Sequence, residues 1–231
     1  MLRSLFSLAC VLSCLTASPC LAQGGVQLGL DGTAGPHGAL VELSVSAFDT
    51  KPIEPRLVQV DLSLYIAART SSSDMLALID ARLQAAGVTT VRSTTDKRLA
   101  SLFVLDATRV RARVGGGLEL TTTTTTGPPT WIRLERPTRL ESVSTLRITA
   151  LGRSAVDGRT GTDGLTLELG ARASAPSISN ALHRQADALG WLSDRPELNS
   201  WRPLRVGDGL HVVGCSISVT SADPWWLDIG L

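Results

Sequence analysis

Nucleophilic or acid–base chemistry needs an imidazole, thiol or carboxylate within reach of a second reactive group, and few residues here could supply one. The histidines are His37, His183 and His211, and Cys215 is the only cysteine beyond residue 20. His37 lies in the turn-forming run Gly35-Pro36-His37-Gly38. His183 follows Leu182, an apolar position of a helical stripe, and faces away from that stripe. His211 and Cys215 occupy positions i and i+4 of one strand. They share a face but lie about 13 Å apart, too far for a thiolate–imidazole pair, so Cys215 reads as an inert core thiol. Neither a G-x-S-x-G elbow nor an H-E-x-x-H helix is present. The pattern assigns no catalytic group, no metal ligand set and no cofactor.

Asp157 and Asp163 bracket the glycine-rich stretch Asp157–Gly164, but the stretch lacks the closer D-x-D spacing and closing glutamate of a calcium loop. It reads as turn chemistry. Arg109, Arg111 and Arg113 alternate with Val110, Ala112 and Val114, which puts three guanidinium groups on one strand face. Such a strip can hold carboxylate, sulfate or phosphate groups, or pair with cross-strand acids such as Glu119. Thr121–Thr126 is a run of threonines, strong strand formers, and reads as an exposed strand.

The tryptophans all fall late in the chain: Trp131, Trp191, Trp201, Trp225 and Trp226. Trp225 and Trp226 must point to opposite faces of a strand, one into the core and one outward or toward a neighbouring unit. An indole beside polar groups is a platform for a sugar ring or a protein surface. The expected binding residues are therefore Trp225, Trp226, Arg109, Arg111 and Arg113, and the expected partner is carbohydrate or protein.

The elements that position these residues come from an internal repeat. Shifted so that Leu43 falls on Leu146, the stretch 41–88 aligns without a gap on 144–191. Leu62, Leu64 and Ile66 alternate with polar residues, as do Leu165, Leu167 and Leu169, giving two strands with one apolar face each. Helical stripes follow: Met75, Ile79, Leu83 and Ala86 in the first copy, Ile178, Leu182, Ala186 and Leu189 in the second. Ser72 is the expected N-cap of the first helix, Pro176 suits the first position of the second, and Gly87 and Gly190 stop them. Further strands are expected over 41–48, 101–105, 108–114 and 118–126, and over 144–151, 204–206, 210–220 and 225–229. Thr126-Gly127-Pro128-Pro129 is the hinge.

The N-terminus carries the pattern of a secretory leader: Arg3, then an apolar stretch over Leu5–Leu15, then Cys20 and Ala22 in the small-residue positions of a cleavage site. Cleavage is expected after Ala22, with a secreted or periplasmic destination. Val11-Leu12-Ser13-Cys14 also approximates a lipoprotein box, and lipidation of Cys14 would add a membrane anchor. No apolar run is long enough to span a bilayer as a helix. Cleavage would leave Cys215 as the sole thiol, so no intrachain disulfide is expected. A formal net charge of +1 excludes a polyanion such as nucleic acid as a partner held by charge alone.

The expected organisation is α+β and mainly β: a leader over 1–22, a β-rich unit over 23–127 with a helix about 72–86, and a second over 128–231 with a helix about 176–189. The units are sandwich-like or share a sheet, each with one amphipathic helix packed on it. The function these features suit is an exported, non-enzymatic binding or structural protein. The alternatives are a secreted glycan or ester hydrolase using loop carboxylates, and a subunit of an extracellular assembly.

Overall fold

The structure is a computed structural model that describes residues 24–49, 54–93, 100–125, 127–135, 143–170, 173–220 and 225–231. The leader, the lipoprotein-type cysteine and Thr126 lie outside the described residues. The first half forms β1 (Gly25–Asp31), β2 (Ala39–Asp49), β3 (Arg56–Ile66), α1 (Ser72–Ala85), β4 (Thr90–Ser93), β5 (Ser101–Leu105), β6 (Ala107–Val114) and β7 (Glu119–Thr124). The second half forms β8 (Trp131–Glu135), β9 (Ser144–Arg153), β10 (Thr160–Leu169), α2 (Ala175–Ala188), β11 (Leu192–Asp194), β12 (Arg202–Val206), β13 (Leu210–Thr220) and β14 (Trp226–Gly230). The protein is thus mainly β, with two helices among the described residues.

Both helices lie where their apolar stripes put them, except that the last member of each stripe, Ala86 and Leu189, is an exposed C-cap residue, because the helix ends one residue before the stripe does. Met75, Ile79 and Leu83 are buried on α1, and Ile178, Leu182 and Ala186 on α2. Each cap sits one residue or more before the expected one. Ser71, not Ser72, accepts from the Asp74 amide, and Ser174 and Ser177 close a reciprocal capping box on either side of Pro176. Gly87 and Gly190 end the helices with φ of +91° and +73°, a conformation that costs glycine little.

Among the described residues all strand pairs are antiparallel, and they form two sheets. The larger runs β10-β9-β13-β7-β1-β5-β4, with β12 and β11 attached beside β13; the smaller runs β3-β2-β6-β14-β8. Strand order repeats between them. Raising each strand number of the larger path by seven, counting on past β14, gives β3-β2-β6-β14-β8-β12-β11. The smaller sheet follows that order through β8, and an isolated bridge from Ile132 to Trp201 then leads to the segment entering β12.

The registers match closely but not completely. Leu43 faces Leu62, whereas Leu146 faces Leu167. A slip of two keeps every side chain on its own face, so the apolar pattern tolerates it. Both halves also carry one extra residue in the next pairing, Thr108 opposite the Ser46–Ala47 step and Val213 opposite Leu151–Gly152, which is two residues further along β9 than the aligned step Thr149–Ala150.

Two apolar clusters fill the interior. The first joins Val26, Leu28, Leu102 and Val104 of the larger sheet to Val41, Leu43, Val45 and Val110 of the smaller, with Met75, Leu76, Ile79 and Leu83 of α1. The second joins Leu146, Ile148, Leu165 and Ile217 of the larger sheet to Ile132, Leu134, Leu227 and Ile229 of the smaller, with Ile178, Leu182 and Ala186 of α2. Each cluster therefore draws on both sheets but on one half of the sequence, and Leu231 packs against both. The halves meet where β6 pairs with β14 and where β7 pairs with β13.

Candidate functional site

The predicted arginine strip lies on the face of β6 that turns away from the apolar clusters. Val110, Ala112 and Val114 are buried on its other face. Strand pairing then sets what surrounds it. Arg111 lies across from Ser44 on β2 and from Asp228 on β14; Arg109 lies across from Ser46 and Gly230. Beyond β14, Asp228 faces Arg133 of β8, Trp226 faces Glu135, and Gly230 faces Trp131. Three strands from two halves of the chain thus bring four arginines, two tryptophans and several carboxylates onto one outer face.

Each guanidinium in this array finds a carboxylate. Arg109 donates from Nε and an Nη to the two oxygens of Asp228 at 2.9 and 2.7 Å. Arg111 pairs with Glu135, Arg113 with Glu42, and Arg133 with Glu197. The guanidinium groups also lie over indole rings. Arg111 and Arg113 lie 4.2 and 4.7 Å from the Trp226 ring centre, and Arg133 and Arg109 lie 4.5 and 5.4 Å from that of Trp131. Asp228 is wholly buried beneath the array while the Arg109 side chain is 47% exposed. The bidentate bond to Asp228 raises the Arg109 pKa above its ordinary value.

Gly230 makes room for part of this arrangement. A Cβ there would come within 2.4 Å of the Trp131 ring. The indole therefore packs against the glycine, with Arg109 and Arg133 over its ring.

Of the predicted binding residues, Arg109, Arg111, Arg113 and Trp226 come together. Trp225 points the other way, is 4% exposed, and donates its indole N–H to Ser144 Oγ at 2.9 Å within the second apolar cluster. The acids that meet the strip are Asp228, Glu135 and Glu42; Glu119 instead lies on β7 across from Asp31. Sequence reasoning missed Trp131, Arg133 and Asp228 as members. The alternation Trp131, Arg133, Glu135 was the available signal, but strand β8 is short and follows two prolines.

Asp163, Asp157 and His183 take part in structural bonds. Asp163 accepts the Trp191 indole N–H at 2.7 Å. Asp157 receives the Arg159 amide at 3.1 Å and lies near Ser154, whose hydrogen bond holds its pKa below the usual carboxylate range. His183 Nδ1 lies 2.9 Å from Ser193 Oγ, and its Nε2 is 3.7 Å from Asp187. This Ser–His contact was not foreseen, because β11 went unpredicted. Ser193 is only 7% exposed, so the bond ties α2 to β11 and presents no open nucleophile. Cys215 is buried, and loss of solvent pushes its thiol up to about 12.

The threonine run divides by parity. Thr122 and Thr124 are buried, while Thr121 and Thr123 lie on the outer face of the larger sheet beside Ser218 and Ser216. Thr123 donates to Ser216 at 3.1 Å.

No family model, curated protein or solved structure matches the chain. No helix among the described residues is long and apolar enough to cross a membrane. The reading of function therefore rests on the residues themselves.

Proposed function

We propose that the protein is an exported, non-enzymatic binding or structural protein of the cell envelope or exterior. It is built from two copies of one sandwich-like unit, 23–127 and 128–231, with the leader over 1–22 removed. The repeated strand order and the two half-specific clusters support the duplication, and the β2–β6 and β9–β13 pairings each carry one extra residue, two positions apart in the alignment.

The observation that carries the binding reading is the array of Arg109, Arg111, Arg113, Arg133, Trp131 and Trp226 on one outer sheet face. Arginine and tryptophan are the residues enriched in the energetic centres of protein interfaces. The charges are matched within the face, so a free anion meets no spare cation there. A sugar ring needs a bare indole face, and guanidinium groups already lie over both rings. These two points favour a protein surface as partner.

A photo-crosslinking amino acid placed at Ser44, next to Arg111, tests this in cells of the source organism, with Thr149 on the other sheet as control. Crosslinks from position 44 to an envelope protein, and none from position 149, are expected on a chain that begins at Gln23. Equal labelling at both positions would remove the binding face, and a cytoplasmic chain retaining residues 1–22 would remove the export reading.

A further inference from the structure

The seam between the halves is made of strand edges and side chains alone. β6 pairs with β14 over Arg109–Ala112 and Leu227–Gly230, and β7 pairs with β13 over Leu120–Thr124 and Cys215–Val219. On the first line, Arg109 clasps Asp228, Arg111 pairs with Glu135, and Arg111 and Arg113 cover Trp226. On the second, Thr123 bonds Ser216 and the Cys215 amide donates to Thr124 Oγ1. In every one of these bonds one partner comes from each half. Each half meanwhile owns an apolar cluster and a helix. Apart from Leu231, which packs against both clusters, the apolar burial of each half is supplied by that half's own residues.

We infer that this seam can form between molecules as it does within one, its other occupant being the matching half of a second copy of this chain. The first half of one molecule presents the edges of β6 and β7; the second half of any molecule presents those of β14 and β13. The strand pairings need no covalent path between them. Which copy supplies the partner is decided by the connection from Thr124 to Trp131, which raises the effective concentration of the chain's own second half. That connection joins a strand of one sheet to a strand of the other, and stacked sheets lie about 10 Å apart. The inference stands apart from the export and binding reading, since it rests on strand pairing alone.

Deleting Thr125–Pro129 leaves one residue between β7 and β8, a reach of about 7 Å, less than the about 10 Å between stacked sheets. The expected product is a stable dimer of twice the monomer mass by light scattering, with the circular dichroism of the parent. Two such shortened chains in a Cys215→Ala background, one carrying Thr123→Cys and the other Ser216→Cys, should form an interchain disulfide when refolded together. A shortened chain that stays monomeric with parental dichroism, or a dimer lacking that disulfide, overturns the inference. A second experiment covers a shortened chain that does not fold. A protease site replacing Gly127–Pro129 in the full-length chain is cut after folding. The two fragments should co-elute in native buffer and part only in denaturant. Fragments that separate in native buffer overturn the inference equally.

Discussion

Arg109→Met should destabilise the protein more than Asp228→Asn, although both remove the same ion pair. The reason is the difference in exposure. Asp228 is wholly buried and the Arg109 side chain is 47% exposed. Losing the arginine leaves a carboxylate in the protein interior; losing the acid leaves a guanidinium that water can still reach. Removing one partner of a fully buried pair costs about 3–5 kcal/mol. Two features reduce that here. Half of Arg109 is already screened by solvent, and Arg111 and Arg133 lie directly across the strands from Asp228 and offer it partial compensation. The expected cost of Arg109→Met is therefore about 2 kcal/mol, with about 1 kcal/mol for Asp228→Asn. For a chain of this length, about 2 kcal/mol corresponds to a fall in melting temperature of about 4–8 °C.

Thermal and urea unfolding of residues 24–231, followed by circular dichroism, measures both variants and the double mutant. The double mutant should recover part of the sum of the single costs, with a coupling of about 1 kcal/mol. High salt should leave most of that coupling in place, because the acceptor is out of solvent. The reasoning fails if Arg109→Met costs less than about 0.5 kcal/mol, or if the two substitutions are additive.

Three further outcomes are open to measurement. Gly230→Ala should push the Trp131 indole off β14, since the new Cβ would lie within 2.4 Å of the ring. A shift of tryptophan emission and a loss of about 1–3 kcal/mol are expected, and an unchanged spectrum with full stability would contradict the packing. Cys215 has a folded-state pKa raised from 9.0 to about 12 by burial. A raised acid pKa means its stabilising effect is complete below pH 9 and is lost as pH climbs toward 12. Wild-type stability should therefore fall more steeply than that of Cys215→Ala over pH 9–11. The native thiol should also resist Ellman's reagent at pH 8 until the chain unfolds, and rapid labelling of folded protein would refute its burial.

Much of the local structure was legible in the residues. The stripes Met75–Leu83 and Ile178–Ala186, the stops at Gly87 and Gly190 and the alternation along β2, β3, β6, β9 and β10 all follow from side-chain period and glycine's freedom at positive φ. These are properties of a few consecutive residues. Strands β1, β4, β8 and β11 escaped notice because they are short or broken by glycine, and pairing with distant neighbours, not propensity, holds them.

What the chain could not state locally is which edges meet. The alternation of Arg109, Arg111 and Arg113 placed three cations on one face, but the acids and indoles they meet sit on β2, β8 and β14, far off in sequence. Trp225 and Trp226 were bound to point apart; which of them turned inward depended on the side of β14 that met the second cluster. A strand's period is written in its own residues, whereas its neighbours are chosen by the burial and hydrogen bonding of the whole chain. Tertiary structure alone therefore decided that the two halves join by β6 with β14 and β7 with β13, and that the arginine strip closes one of those joins.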